Sequence, residues 1–264
     1  MIKIKSPGRI CLFGEHQDYL SLPVISMAIS KYIYLEAYKI NETKFLIELP
    51  DIQQHFEMQL DKREQEYTTN RDYIKSGYNQ LIRRGIKFKT GYKVKISGDL
   101  PINAGVASSS ALIIAWLHFL NLISNQRFNL HQLALMGYDA EVTEFNEGGG
   151  MMDHYSAAYG NLLYLNPSLP KPNVTNYDLI LQGFVLGDST EKKNTVDDLI
   201  NIKKTCITSI EIMKKIYPNF NQFQSKLKEV APFLPNLNRE YQKKIKGILI
   251  NRDLTLQAKA LIDT

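Results

Sequence analysis

The length and composition of the chain indicate a globular protein with a sizeable core. It has 264 residues, 44% of them hydrophobic, and 32 Lys and Arg against 27 Asp and Glu give a net charge of +5. No apolar run is long enough to span a bilayer, and the N-terminus alternates like a strand instead of resembling a signal sequence. The two cysteines, Cys11 and Cys206, are too far apart to suggest a disulfide framework or a structural zinc site. These features predict a reduced cytoplasmic protein outside the membrane.

The first half of the chain mixes strand and helix periods. Strand-like apolar segments at 24–29, 33–38 and 92–96 are separated by turn residues and followed by helical patterns. The Pro- and Asn-rich segment Asn166–Asn176 is the predicted linker, and an apolar strand is expected at 179–186. The predicted fold class is α+β.

The second half of the chain is predicted to be helical. Apolar residues recur at helical spacing to form one stripe, and further helices are expected near 220–230, 238–250 and 253–262. The stripe consists of Leu199, Ile202, Cys206, Ile210 and Met213. We therefore predict two domains, residues 1–176 and residues 177–264.

A loop of small residues leads from the strand at 92–96 into an apolar helix that begins near Ala111. Backbone N–H groups in such a loop can approach phosphate oxygens, and the positive end of the helix dipole favours an anion. The alternative is an ordinary serine-capped helix. The candidate phosphate-binding residues are Asn103, Ala104, Gly105, Val106, Ala107, Ser108, Ser109 and Ser110.

A glycine-rich segment follows a helix that Asn129 is expected to cap, with Gln132 completing a capping box. Glu141 falls on the packed face of this helix, where a carboxylate needs a cation or a donor. The glycines at 148–150 then let the backbone pass close to a ligand and present Asp153. The alternative is a flexible helix C-cap with a surface aspartate.

The N-terminal segment Ser6–Tyr19 is rich in ligand-binding side chains. Two carboxylates, an imidazole and a guanidinium lie within ten residues, a set suited to several hydroxyl groups: Arg9, Glu15, His16 and Asp18. A metal site at His16 and Asp18 has no further His or Cys at a useful spacing. A surface cluster of ion pairs is the other alternative.

In this order, the three segments resemble the motifs of the GHMP kinase superfamily, and most closely those of its galactokinase-like branch. Residues 6–19 are similar to the signature PGRVNLIGEHTDY, the serine loop to the superfamily's phosphate loop, and residues 148–154 to a pattern ending in GIMDQ. The resemblance extends over roughly residues 4–195. It implies an N-terminal α+β domain, a helix-rich C-terminal domain, and an active site between them that uses ATP and Mg²⁺.

The resemblance also implies a reaction and residue roles. The reaction is transfer of the γ-phosphate of ATP to a monosaccharide hydroxyl, expected to be the anomeric hydroxyl of galactose or a related sugar. Asp153 would be the catalytic acidic group and Arg9 would keep it ionised. Ser109 and Glu141 would lie near Mg²⁺, with Glu144 as the substitute for Glu141. The residues expected to contact the sugar are Glu15, His16, Asp18 and Gly150.

Several positions depart from the family pattern and leave the acceptor open to another hexose, a pentose or a uronic acid. Relatives have Asn in place of Cys11, Thr in place of Gln17 and Gly in place of Asn103. They have Cys or Ser in place of Gly149, and Gln in place of His154. The alternative functions are a mevalonate-type kinase and a non-catalytic sugar or nucleotide sensor. The basic residues form no stripe suited to nucleic acid, so no such partner is expected.

The family's third glycine-rich motif has no counterpart after Thr195, where Gly247 is the sole glycine. The expectation is therefore a chain truncated within its C-terminal domain and weakly active by itself. Such a truncation predicts apolar helix faces without their full packing partner, at Leu199, Ile202, Ile210 and Leu249.

Overall fold

The computed structural model describes residues 1–60, 63–102, 104–168, 171–179, 181, 183–187 and 195–264. Within these residues, seven strands form a single mixed sheet. The strands are β1 (Ile2–Phe13), β2 (Val24–Ile40), β3 (Lys44–Leu49), β4 (Gln54–Gln59), β5 (Gly91–Gly98), β6 (Leu162–Asn166) and β7 (Asn173–Tyr177). Their order is β4-β3-β5-β2-β6-β7, and β1 pairs with β2.

Strand β2 is the long central strand of the sheet. It pairs antiparallel with β1, with β5 through Ile33–Ile40 and with β6 through Val24–Met27. The segments predicted at 24–29 and 33–38 are therefore one strand. The ladder with β1 shifts register opposite Pro7 and Arg9, and this bulge interrupts the alternation of side chains. Parallel pairing occurs between β3 and β5.

In the described part of the chain, seven helices pack on the sheet and on one another. They are α1 (Tyr73–Arg83), α2 (Ser108–Ile123), α3 (Leu130–Tyr138), α4 (Met152–Tyr159), α5 (Thr195–Ile216), α6 (Leu227–Val230) and α7 (Arg239–Ile262). The predicted capping box at the start of α3 is confirmed: Gln132 N donates to Asn129 Oδ1 at 2.9 Å and Asn129 N to Gln132 Oε1 at 3.0 Å. The α+β class is confirmed.

The main core lies between the sheet and helices α1 and α2. Phe45 is fully buried, and its ring contacts those of Tyr78, Trp116 and Phe119 at centroid distances of 5.6 to 6.4 Å. The Trp116 indole N–H donates to the Ile74 carbonyl at 2.8 Å, so its one polar atom is satisfied inside the core. This core holds α2, the helix that follows the serine loop, firmly on the sheet.

The start of β2 is buried on both faces of the sheet. Val24 packs with residues of α4, whereas Ile25 and Met27 pack with Ala258 of α7 on the other side. Burial on both faces explains the continuous apolar sequence at this point. The C-terminal helix α7 therefore packs directly on the sheet.

Helices α5 and α7 form the second main core. The predicted stripe on α5 is confirmed for four of its five members, which pack in this core with Leu249 of α7 and with Leu20 from the N-terminal turn: Ile202, Cys206, Ile210 and Met213. The expectation of unpartnered faces is wrong for Ile210 and Leu249, which are 6% and 0% exposed. They are covered because α5 and α7 pack on each other.

Three expectations for the second half of the chain are corrected. The helices predicted at 238–250 and 253–262 are one continuous helix, α7, since no Pro or Gly interrupts the segment between them. Near 220–230, α6 covers Leu227–Val230 alone. The described residues between 178 and 187 contain no strand, and the predicted linker instead ends in β7 at the sheet edge.

The domain boundary at 176/177 stays a prediction. Both cysteines are free thiols. Among the described helices, none combines the length and the apolar character that crossing a bilayer requires.

Candidate active site

A cavity of about 580 Å³ lies where the three motif segments meet. Among the described residues predicted to act in the site, all line this cavity except Ala104, Val106 and the alternative acid Glu144. Asn103 lies outside the described residues. The cavity also receives residues from β3, β5 and the N-terminal part of α5, so its walls come from both halves of the chain. A volume of this size accommodates a small organic ligand.

The serine loop forms one wall through its backbone. Gly105 and Ala107 both adopt left-handed φ values, of 77° and 63°, and Ala107 is the N-cap of α2. No side chain caps this helix, so the alternative of an ordinary serine cap does not hold. Ser108 and Ser109 are half-buried in the first turn of α2. The first N–H groups of α2 are thus left for a ligand, as an anion-binding helix N-terminus requires.

Arg9 and Asp153 form a bidentate pair across the floor of the cavity. Arg9 Nε donates to Asp153 Oδ1 at 2.7 Å and Arg9 Nη2 to Oδ2 at 2.8 Å. Arg9 also holds the serine loop: its Nη1 donates to the Gly105 carbonyl at 2.6 Å and its backbone N–H to the Val106 carbonyl at 3.1 Å. One side chain therefore fixes the position of the carboxylate relative to the phosphate-loop candidate.

The environment of Arg9 keeps it charged. Burial disfavours the guanidinium, but the charge and the hydrogen bonds of Asp153 outweigh burial and raise the pKa of Arg9 above its usual value. The side chain of Arg9 is 10% exposed and that of Asp153 is 29% exposed. Asp153 is thus the member of the pair that a ligand in the cavity can reach.

The residues of the N-terminal turn differ in their environment. Glu15 is exposed and His16 is half-buried with φ of 58°, and the two side chains are 3.8 Å apart. Asp18 is buried, and its Oδ2 accepts a hydrogen bond from the Met152 N–H, the first of α4, at 3.0 Å. Burial raises the pKa of Asp18, although the Met152 N–H opposes this effect. Asp18 therefore joins the turn to the glycine-rich segment.

Gly150 must be glycine because of Asp18. A Cβ on Gly150 would overlap the Asp18 carboxyl carbon and both of its oxygens, whereas a Cβ on Gly149 would meet Val142 Cγ2 at 3.4 Å, an ordinary contact. We expect Gly150→Ala to destabilise the fold by about 1–3 kcal/mol through overpacking, and Gly149→Ala to cost far less. Thermal unfolding of the two variants checks this. Equal melting temperatures would contradict the assigned packing.

Glu141 lies in a single turn of π-helix, Asp139–Thr143, and is 6% exposed. Its Oε2 accepts from Ser110 Oγ and contacts His154 Nε2, both at 2.8 Å. Glu144 does not line the cavity and forms an ion pair with Arg83 at 2.6 Å. Of the two acids considered for the metal position, the structure thus brings Glu141 to the cavity.

Three further residues form a second ionic group at the cavity that is not predicted from the sequence. Glu147 Oε1 accepts from Tyr73 at 2.7 Å and pairs with Arg71 Nε at 3.0 Å, and all three residues line the cavity. Burial raises the pKa of Glu147, with Tyr73 and Arg71 opposing the effect. The proximity of Glu147 to the glycines is the sequence signal that was available. No sequence signal indicates that Glu147 pairs with Arg71, because the two residues lie 76 positions apart.

Comparison with protein families matches two parts of the chain. Residues 72–161 match the GHMP kinases N-terminal domain, and residues 2–39 match the galactokinase galactose-binding signature. The galactokinase of Pyrococcus furiosus is 32% identical over 62% of this chain and 47% of its own length, and that of Thermotoga maritima is 30% identical over 60% and 44%. The chain spans about half the length of the curated relatives it matches.

Two further comparisons extend into the helical half. The mevalonate kinase of Pyrococcus furiosus is 24% identical over 93% of this chain and 74% of its own length. The crystal structure of Lactococcus lactis galactokinase complexed with galactose superposes with a TM-score of 0.80, at 18% identity, over 98% of this chain and 69% of that one. At this identity the superposition establishes the fold: the GHMP kinase fold predicted from the motifs.

Proposed function

Because this chain belongs to the GHMP kinase superfamily and resembles its galactokinase branch, we propose that it transfers the γ-phosphate of ATP to a monosaccharide. The acceptor is galactose or a closely related sugar, and the phosphorylated group is the anomeric hydroxyl. We place the reaction in the cytoplasm, where ATP is available. As the chain covers 47% of the length of the Pyrococcus furiosus galactokinase, this activity is proposed for the protein and not carried over from that relative.

The observation that carries the proposal is the Arg9–Asp153 pair. Its carboxylate is the more exposed member, and its guanidinium is bonded to the serine loop through Gly105. Phosphoryl transfer needs positioning and electrostatic stabilisation more than covalent participation by the protein. A carboxylate for the acceptor hydroxyl and a cation for the transferring phosphoryl group, in fixed relation to a phosphate site, supply both.

The proposed roles follow from these positions. The ATP phosphates lie against the N–H groups of α2, and the γ-phosphoryl group faces Asp153. Asp153 accepts the hydrogen of the acceptor hydroxyl and orients its oxygen, while Arg9 offsets negative charge on the phosphoryl oxygens. At the edge of the cavity, Glu15 accepts hydrogen bonds from the sugar hydroxyls and His16 donates hydrogen bonds to them. Asp18 fixes the glycine-rich segment that supports the sugar.

The residues present fit a Mg²⁺ ion bound jointly with the nucleotide. Glu141 and Ser109 line the cavity near the start of α2, and no cluster of three or more candidate ligand side chains occurs among the described residues. Mg²⁺ characteristically takes one or two protein oxygens and completes its coordination with phosphates and water. When bound, the ion neutralises charge on the phosphate oxygens.

A panel of acceptors tests the proposal. The chain is incubated with ATP, Mg²⁺ and one compound at a time: galactose, other hexoses, a pentose, a uronic acid, mevalonate and homoserine. We expect ADP formation to require a monosaccharide, with the product identified as the 1-phosphate by phosphorus NMR. Binding of galactose, measured by calorimetry, supplies a readout independent of turnover. Phosphate found on mevalonate or homoserine alone would overturn the proposal in favour of the other kinases of this fold.

A further inference from the structure

His154 is buried in the wall of the cavity and is one of its lining residues. It is 1% exposed and follows Asp153 in α4. Neighbouring residues of a helix point about 100° apart, and here Asp153 faces Arg9 whereas His154 Nε2 contacts Glu141 Oε2 at 2.8 Å. One short helix therefore orients two different carboxylates of the site.

The two oxygens of Glu141 are used differently. Oε2 takes both hydrogen bonds, from Ser110 Oγ and from His154 Nε2. Neither of these two hydrogen bonds uses Oε1, and Glu141 lines the cavity. Because a carboxylate oxygen accepts and cannot donate, Nε2 carries the imidazole hydrogen in this contact. The carboxylate is thus held through one of its two oxygens.

The imidazole ring has little freedom to turn away. A Cβ on Gly137 would meet His154 Cδ2 at 3.1 Å, and the Tyr138 ring stands edge-on to the imidazole at 5.9 Å and 87°. His154 Nδ1 is buried without a hydrogen-bond partner among the described residues. Burying a nitrogen without a hydrogen-bond partner lowers the stability of the folded state. The surrounding contacts hold the imidazole in place although Nδ1 is buried in this way. Among the residues that the structure describes, the hydrogen bond to Glu141 is the one that the ring makes.

We propose that His154 is a positioning residue for Glu141: its Nε2–H fixes Oε2 so that Oε1 faces the divalent cation bound with the nucleotide. The inference rests on the proposed function for the presence of that cation. Groups that orient metal-binding side chains affect metal affinity by about 10- to 100-fold. Glutamine, which the family pattern has at this position, also carries an N–H donor. His154→Gln should therefore preserve the role, and His154→Leu, which is apolar, should remove it.

The experiment measures Mn²⁺ bound to the chain together with ADP, by the loss of the free-ion signal in electron paramagnetic resonance. His154→Leu is expected to weaken Mn²⁺ binding in the presence of ADP by about tenfold or more, and His154→Gln by much less. His131→Phe is the matched control, since His131 Nδ1 bonds to the Tyr155 hydroxyl at 3.1 Å without touching Glu141. Melting temperatures and far-ultraviolet circular dichroism show that each variant is folded.

The possible results distinguish a failure of the role of His154 from a failure of the proposed function. Equal Mn²⁺ affinity in wild type and a folded His154→Leu variant would overturn the inference alone. Equal weakening in His154→Leu, His154→Gln and His131→Phe would also overturn it, because packing would then be the cause. Absence of Mn²⁺ binding with ADP in the wild-type chain would overturn the proposed cation site and the inference with it. If His154→Leu fails to fold, loss of Mn²⁺ binding in a folded His154→Gln variant overturns the inference.

Discussion

Replacing Asp153 with Asn is expected to slow ATP turnover by at least about 100-fold, with little change in the affinity for ATP. The substitution removes the charge that faces the acceptor hydroxyl and replaces one carboxylate oxygen of the Arg9 pair by an amide N–H. The serine loop keeps its attachment to Arg9 through Gly105 and Val106. The turnover rate should therefore fall while the affinity for ATP stays nearly unchanged.

Steady-state kinetics and calorimetry with a non-hydrolysable ATP analogue measure these two quantities. Asp263→Asn is the control, because Asp263 is an exposed aspartate whose ion pair with Lys259 lies at the end of α7. It should leave both quantities unchanged. Near-normal turnover in Asp153→Asn would show that another group receives the hydroxyl hydrogen, and it would remove the observation on which the proposed function depends.

Replacing Arg252 with Met is expected to lower the free energy of unfolding by about 2–5 kcal/mol. Arg252 is 1% exposed in the middle of α7. Its guanidinium donates to the Gln222 and Ser225 carbonyls, each at 2.8 Å, and to Asp253 Oδ1 at 2.6 Å. Met retains much of the aliphatic volume, so the loss reports mainly on carbonyl groups left without donors inside the helical core.

Urea unfolding followed by circular dichroism measures this change. Arg239→Met serves as the control, since Arg239 is exposed in the first turn of the same helix. Surface substitutions of this kind alter stability by less than about 0.5 kcal/mol. A midpoint for Arg252→Met equal to that of Arg239→Met would mean that the segment containing Gln222 and Ser225 does not depend on α7 for its position.

The stability of the helical half matters for the proposed site because the two halves meet at the cavity. Leu20, two residues after Asp18, packs in the core formed by α5 and α7. A Cβ on Gly148 would meet the backbone N of Ile200 in α5 at 2.9 Å. The N-terminal turn and the glycine-rich segment therefore both rest on helices that the sequence placed in a separate domain.

Features that depend on neighbours along the chain are predictable from the amino-acid sequence. The capping box of Asn129 and Gln132, the helix after the serine loop and the apolar stripe of α5 follow from spacing and propensity within a few turns. The order of the three motifs carries the resemblance to the GHMP kinase superfamily. Their resemblance to known signatures also predicted that Arg9 and Asp153 act together, although 144 residues separate them.

Tertiary structure decided the features that depend on contacts between distant segments. Spacing on one helix left Glu141 and Glu144 open as alternatives. The π-helical turn brings Glu141 to Ser110 and His154, while Arg83 draws Glu144 away from the cavity. His154, one of the departures from the family pattern, contacts Glu141. The local sequence does not indicate which side chain lies across a cavity, because that arrangement depends on how the sheet and the helices pack together.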